Sequence, residues 1–297
     1  MINKYSVLKL DSKYPILMTA MNQVSDLNLA LAGHRAGIFP SLSLFNYCKN
    51  NRFRFDEFEK DLDLFQKISG SNNLLISLDV DLLLTQQVLD ILVGKKFFYI
   101  EIVEGLNFKN IPKIQKIRKD LTHKGLLIFV KEIAPRLIME TDVLILKGNE
   151  GAGRFLENSH SLKELFSYMT KAFPSLPIIP SGGIKNAEDV EYYIERNACA
   201  VGIGSLFAYS EESCVSKNTK NVIVESSWND ITRVKNKNQN GIVFEEIASD
   251  DENNTVSLKL GIKNPKNGHV FVGKSIDKID SIKPVEEIVD ELILKIK

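Results

Sequence analysis

The residues from Ile178 to Phe207 carry the pattern with the clearest chemical meaning. Ile178-Ile179 is a short apolar run that Ser181-Gly182-Gly183 breaks. Asn186 then reads as a helix N-cap with Asp189 in the first turn, and Val190, Tyr193 and Ile194 recur at helical spacing. Ala198 to Ile203 is a second apolar run, ending in Gly204-Ser205. Two glycine turns, each following a strand and separated by one helix, expose backbone N–H groups at one edge of a parallel sheet. No Cβ blocks close approach there, and Ser205 adds a hydroxyl, so the geometry suits a phosphate. Gly182, Gly183, Gly204 and Ser205 are therefore predicted to bind the phosphate of a cofactor. The alternative is two tight strand-to-helix turns with no ligand. In barrels of alternating strands and helices, a phosphate sits after strands seven and eight.

The elements around these turns alternate. Strand-like runs fall at 15–20, 38–43, 74–79, 97–103, 126–131, 142–147, 177–180 and 199–203. Helical patterns lie between them at 26–35, 55–68, 82–92, 110–122, 132–139, 159–172 and 186–196. Eight strands alternating with helices, several of them continuously apolar, predict an α/β fold, a (β/α)8 TIM barrel. An open doubly wound sheet is the other arrangement, but no GxGxxG follows the first strand. The rhythm breaks after Ser210. Residues 216–268 are rich in Lys, Asn, Ser and Asp and hold alternating runs at 221–225, 242–245 and 256–261. Asn240-Gly241 and Asn253-Asn254 read as turns. The expected organisation is a barrel of residues 1–215 and 269–297, with 216–268 a small β-containing insertion or lid near the C-terminus. That insertion is open to three readings: a solvated elaboration, a partner surface or a part in substrate choice. Residues 284–295 form a last amphipathic helix, with Pro284 in its first turn and Val285, Ile288, Val289 and Leu292 on one face.

Four stretches, joined by the tail, together resemble one family. The Gly182-Gly183-Ile184 turn, its helix and Gly202-Ile203-Gly204-Ser205-Leu206-Phe207 look like the last two units of flavin-binding barrels. Tyr14-Pro15-Ile16-Leu17-Met18-Thr19-Ala20-Met21 resembles a first strand ending in Pro–Met or Ala–Met. Residues 29–39 resemble the helix and small-residue turn after it, and Leu144 to Arg154 a sixth strand with its glycine-rich loop. The tail, Gly273 to Ile279 and then Pro284 to Val289, resembles a closing segment. The pattern is that of the nitronate monooxygenase (2-nitropropane dioxygenase-like) family and its relative, the flavin-dependent enoyl-ACP reductase. The resemblance covers about residues 14–210 and 268–296 in family order and implies FMN as cofactor.

The resemblance also implies roles. Ala20 and Met21 would lie against the flavin ring, where core packing is the other reading of a methionine. Ser77 stands where relatives carry an Asn or Gln that hydrogen-bonds the ring system, and Asp79 is the next inward position; a simple strand-end polar group is the other reading of either. Lys131 and Lys147 end the fifth and sixth strands, at the ligand mouth of a barrel. Each could neutralise a flavin phosphate or the reduced ring, or be a solvent-facing rim charge, and Glu101 and Glu104 carry the same ambiguity. Gly151 and Gly153 fit a loop that wraps a phosphate or ring edge. Relatives end that loop in Gly-Gly-His, with the His as base or proton donor; here the terminal residue is Arg154. Arginine stays protonated and cannot be a general base, but it can clamp a carboxylate, phosphate or nitronate. His160 and His269 are the candidate substitutes for the missing histidine, but neither has its spacing, and a structural role is the other reading of each. His34 reads as a cap or surface residue and His123 as a helix C-terminal cation.

Composition narrows the function classes. The chain of 297 residues suffices for one barrel, and 38 Lys and Arg balance 38 Asp and Glu. No basic excess points to nucleic acid, and no apolar run approaches the length of a membrane span. Cys48, Cys199 and Cys214 have no metal-ligand spacing, so no metal is expected and a reducing cytoplasm is. Residues 1–15 hold no apolar segment of a secretory signal. The expected partner is a small-molecule substrate, anionic or an acyl thioester, and barrels of this kind often pair as homodimers. Three functions follow: an FMN-dependent oxidation of a small carbon acid with oxygen as acceptor, an NAD(P)H-dependent enoyl-thioester or specialised biosynthetic reductase, and a flavin- or phosphate-binding partner subunit without turnover.

Overall fold

Short runs rich in Ile, Leu and Val become the staves of a parallel barrel, because they are buried on both faces. The computed structural model describes residues 12–49, 52–78, 80–83, 85–102, 111–137, 139–156, 160–235, 242–247 and 270–294. In chain order the strands are β1 (Ile16–Met18), β2 (Ser41–Ser43), a small hairpin of β3 (Cys48–Lys49) and β4 (Arg52–Phe53), β5 (Leu75–Leu78), β6 (Tyr99–Ile102), β7 (Leu127–Glu132) and β8 (Val143–Lys147). They continue with β9 (Gly153–Leu156), β10 (Ile178–Ser181) and β11 (Val201–Ile203). Eight of them pair in parallel in the order β1-β11-β10-β8-β7-β6-β5-β2. The seam closes through Phe39, whose N–H donates to Ile16 O and whose carbonyl accepts from Met18 N, both at 2.9 Å. All eight expected barrel strands are present.

Alternation along the staves sends one set of side chains inward. Leu17, Phe39, Leu75, Phe129, Val143, Ile145, Ile179 and Cys199 fill the interior as one cluster. The opposite set packs under the helices: α1 (Leu27–Arg35), α2 (Phe55–Ser69), α3 (Val80–Leu83), α4 (Gln86–Gly94), α5 (Ile111–His123), α6 (Leu162–Ala172), α7 (Ala187–Ile194), α8 (Ser205–Ala208), α9 (Lys217–Val224) and α10 (Val285–Ile293). Their starts are written in the sequence. Asp26 accepts from Leu29 N at 3.0 Å, and Ser161 and Glu164 form a reciprocal capping box. Asn186 accepts from Asp189 N at 2.9 Å while Asp189 accepts from Lys185 N at 3.1 Å. The last helix, α10, packs against α1 and α7 with Val285, Ile288, Val289 and Leu292 buried.

Two expected elements are corrected. No helix spans 132–139 among the described residues: β7 runs to Glu132, and the chain bends back through Ala134-Pro135-Arg136. Pro135 disfavours the helical region at Ala134, and Arg136 N closes a tight turn on Ala134 O at 2.8 Å. Side chains at 141 and 142 stitch the two strands. Thr141 Oγ1 shares its proton between the Ile128 and Val143 carbonyls, and Asp142 accepts from Ile128 N while pairing with Arg118, all at 2.7 Å. The alternating run at 221–225 lies in and just after helix α9, whose N-cap Ser216 accepts from Thr219 N at 3.2 Å. Thr219, Lys220 and Ile223 are its buried face, and a run that short does not distinguish strand from helix.

Beyond α9, β12 (Ile231–Lys235) and β13 (Ile242–Ile247) pair antiparallel, and β14 (Val270–Phe271) adds to the other edge of β13. β9 also pairs with β13, with Arg154 opposite Phe244 and Gly153 opposite Glu245. A second sheet thus ties the loop after β8 to a strand nearly ninety residues later. Asp79, Glu104, Asn240-Gly241, Asn253-Asn254, residues 256–261 and His269 lie outside the described residues.

Candidate functional site

The carboxyl ends of the staves carry polar side chains above the apolar interior. Inward alternation continues from Leu17 to Thr19, Leu75 to Ser77, Tyr99 to Glu101, Phe129 to Lys131, Ile145 to Lys147 and Ile179 to Ser181. Thr19, Ser77 and Ser181 are buried, and Glu101 is fully so at 0 % exposure. Lys131 Nζ stands 2.5 Å from Glu101 Oε1, with 21 % of its side chain exposed. Lys147 turns the other way: its ammonium donates to the carbonyl of Ala152, within the loop that follows its own strand.

Four backbone segments meet beside this ring, and glycine lets them touch. Gly182 has φ +99°, and a Cβ there would stand 2.9 Å from Gly151 Cα. Gly183 has φ +75°, and its Cβ would stand 2.6 Å from Glu150 Cβ. These glycines therefore have a packing reason of their own, independent of any ligand. At the second turn, a Cβ on Gly204 would meet Thr19 Oγ1 at 2.8 Å and Met21 Sδ at 3.5 Å. Met21 and Gly204, predicted from opposite ends of the barrel sequence, are thus neighbours. Ala20 lies beside them, half-buried. Ser205 Oγ accepts from Gly273 N at 3.1 Å, which leaves its proton free to donate elsewhere. Among the described residues, no backbone carbonyl takes the N–H of Gly183, Gly204 or Ser205. Unpaired N–H groups on turns without a Cβ fit an anionic group such as a cofactor phosphate.

Three contributors were not singled out from sequence. Glu150 organises the junction: its carboxylate accepts from Leu162 N at 3.0 Å, at the start of α6, and its carbonyl accepts from Lys274 N at 2.8 Å. The signal was available in a lone acid inside a glycine loop twelve residues before a helix start. Gly273 approaches the Glu150 carbonyl so closely that a Cβ would stand 2.7 Å from it. Gly202 faces inward between Thr19 and Ser181, where a Cβ would stand 2.9 Å from each side chain. Tyr193 also feels Glu150: burial first, and then the acid's field, push its phenol up, so it stays neutral near pH 7.

The proposed chemical residues divide. Arg154 has its backbone in β9, and its side chain lies outside the described residues. His160 is exposed, just before the α6 cap, and its carbonyl accepts from Asn149 N at 3.1 Å. His34 packs edge-on against Phe65 at the end of α1, and His123 is exposed at the end of α5. A cavity of about 250 Å³ opens beside the residues that follow the two turns, lined among others by Lys185, Asn186, Leu206, Tyr209 and Lys278. Among the described residues no cluster of three or more His, Cys, Asp or Glu could hold a metal, and no helix is long and apolar enough to cross a membrane.

Solved structures of known proteins share this barrel. FabK from Thermotoga maritima superposes with a TM-score of 0.79 at 19 % identity, over 99 % of this chain and 96 % of that one. A nitroalkane oxidase from Streptomyces ansochromogenes gives 0.73 at 14 % identity, over 96 % of each chain. The enoyl reductase domain of MlnA from Bacillus amyloliquefaciens gives 0.63 at 12 % identity, over 83 % of this chain and 66 % of that one. At these identities the likeness shows the shared barrel. A comparison with curated protein sequences gives no match. The family model described as nitronate monooxygenase matches residues 111–295, more than half of the chain and including the glycine loop and both turns. The chain belongs to the nitronate monooxygenase family, and is a flavin-dependent oxidoreductase enzyme.

Proposed function

We propose that this protein binds FMN and oxidises a small anionic carbon acid, with oxygen as the electron acceptor. The observation that supports the reading is that, among the described residues, no backbone carbonyl takes the N–H of Gly183, Gly204 or Ser205, which would form a cradle at the ends of β10 and β11. These three, with Gly182 and the Ser205 hydroxyl, would hold the cofactor's phosphate. Ala20, Met21, Ser77 and Lys131 would face its ring, while Gly151 and Gly153 shape the loop beside it. Bound flavin supplies a two-electron acceptor. Arg154 would hold the substrate's negative charge and exclude water beside it. A nitronate is already ionised, so the loss of the usual loop histidine removes no step this substrate needs. The sheet of β9, β12, β13 and β14 acts as a lid in this reading, because it carries Arg154 on one of its strands.

One observation favours a second reading. Both lysines at the mouth are engaged, Lys131 by Glu101 and Lys147 by Ala152 O. An NAD(P)H-dependent enoyl-thioester reductase, which acts on a neutral acyl group, needs neither as a free cation. The visible spectrum of the purified protein, with identification of the released ligand, tests the cofactor. Bands near about 375 and 450 nm with FMN released are expected of the flavoprotein. A colourless protein that ignores added FMN overturns the proposal and leaves a barrel without turnover. Rapid bleaching by NADPH under anaerobic conditions would select the reductase.

Arg154→Ala then reads the substrate clamp. Loss of a charge-assisted hydrogen bond is worth about 1.5–3 kcal/mol, so KM for a small nitronate should rise about tenfold to a hundredfold. An unchanged KM would take Arg154 out of the site.

A further inference from the structure

Glu101 is the unexplained acid of the barrel mouth. Its side chain is 0 % exposed, on β6, with Ser77 and Phe129 as its neighbours in register on β5 and β7. Its charge partner is Lys131 Nζ, at 2.5 Å from Oε1. Among the described residues Oε2 has no hydrogen-bond partner, and Oε1 has none besides this ion pair. A buried carboxylate oxygen without donors is rare and costly, so its retention calls for an account in terms of function. The account lies in what the pair does to its surroundings. Few dipoles disperse the carboxylate's charge, so its field falls on the ammonium above it and on whatever covers the mouth.

We propose that Glu101 is a positioning residue that cancels the Lys131 cation and thereby keeps the electron affinity of the bound flavin low. The inference rests on the reading that flavin lies at this mouth, with Lys131 facing its ring. Two-electron reduction of the ring, with one proton taken up at N5, leaves negative charge on its N1–C2 carbonyl edge. A lone lysine would stabilise that charge, and charge near N1 and N5 is a main lever by which proteins tune flavins. Lys131 fixed against Glu101 presents a dipole of nearly zero net charge instead. The flavin then gains little from becoming anionic, so the reduced ring passes its electrons on readily, to oxygen in the proposed reaction or to an enoyl group in the second reading, and adducts with anions are disfavoured.

Sulfite is the probe. Its sulfur lone pair forms a bond to N5 of the oxidised ring, and the displaced electron pair becomes negative charge on the same N1–C2 edge, so adduct affinity reports the local charge. Removing a unit charge a few ångströms away, at an effective dielectric of about 20, changes such an equilibrium by about tenfold or more. Glu101→Gln should therefore bind sulfite about tenfold more tightly than the parent, read from bleaching of the main visible band. The flavin midpoint potential should rise by about 30 mV, the equivalent of that factor for a two-electron couple. Glu101→Gln combined with Lys131→Met removes both charges and should return both readings to the parental range. A merely structural role for Glu101 would not produce that reversal. If Glu101→Gln retains flavin and its sulfite affinity and potential stay within about twofold of the parent, the inference is wrong while the flavin reading stands. Should Glu101→Gln lose its flavin, the double variant decides: parental values support charge cancellation, and a departure from them, or no flavin there either, rejects it. A parent protein that neither carries nor takes up flavin overturns both.

Discussion

Gly183→Ala is expected to yield a protein that retains no flavin after gel filtration, with stability lowered by about 2–4 kcal/mol. Two causes add. The residue has φ +75°, where any L side chain is strained, and the new methyl would stand 2.6 Å from Glu150 Cβ. Glu150 cannot easily yield, because its carboxylate is held by Leu162 N and its carbonyl by Lys274 N. The turn must therefore move, and the Gly183 N–H moves with it. Gly70→Ala separates strain from contact. Gly70 caps α2 with φ +67°, yet nothing lies within 4 Å of its would-be Cβ. That variant should lose only about 1–2 kcal/mol and leave any bound flavin in place. The ratio of visible to protein absorbance, with a thermal melt of each, is the measurement. Equal flavin retention in the two variants would sink the assignment of Gly183 to the cradle.

The features that sequence made legible are those that depend on neighbours in the chain. Ile178-Ile179, Val143–Lys147 and Leu127–Glu132 are continuous apolar or nearly apolar runs that only a stave buried on both faces accommodates. The α7 start was legible because Asn186 takes the Asp189 N–H while Asp189 reaches back to the Lys185 N–H, all within one turn of chain. What depends on distant pairing was not. The charges of Glu101 and Lys131 could each be placed at the mouth, but their union requires the register in which Glu101 stands opposite Phe129. Lys147 ends its strand where a ligand-facing lysine belongs, and its flexible stem instead carries the ammonium back to Ala152. The pairing of β9 with β13 joins a glycine-led tetrapeptide to a strand across nearly ninety residues, and nothing local announces it. Residues 132–139 misled for the opposite reason: a helical apolar spacing overrode the warning that Pro135 gave.

Lys131→Met should be the most destabilising single change at the mouth. It leaves the Glu101 carboxylate in the barrel with 0 % exposure and no counter-charge among the described residues. Breaking a buried pair from one side costs about 3–5 kcal/mol, far above an exposed pair's 0–1 kcal/mol. For a chain of this size that corresponds to a fall in Tm of roughly 5–15 °C. Adding Glu101→Gln should recover most of the loss, because the charge that lacked a partner is gone and the remaining amide is neutral. The cycle of parent, two single variants and double variant, followed by thermal and urea unfolding, gives the coupling directly. A coupling of about 2 kcal/mol or more is expected from the 2.5 Å contact and its burial. Additive single effects would mean that the ammonium reaches solvent by rotating away, and that Glu101 is tolerated alone. The stability cycle needs no bound flavin. It therefore separates the existence of the pair, which is a property of the barrel, from its effect on the cofactor, which the sulfite titration reads. The sign of the Glu101→Gln single variant carries a further consequence. Ionic pairs inside proteins often contribute little beyond what neutral groups of the same shape would. A nearly neutral effect on stability, together with a shifted potential, would identify Glu101 as retained for the redox chemistry and not for the fold.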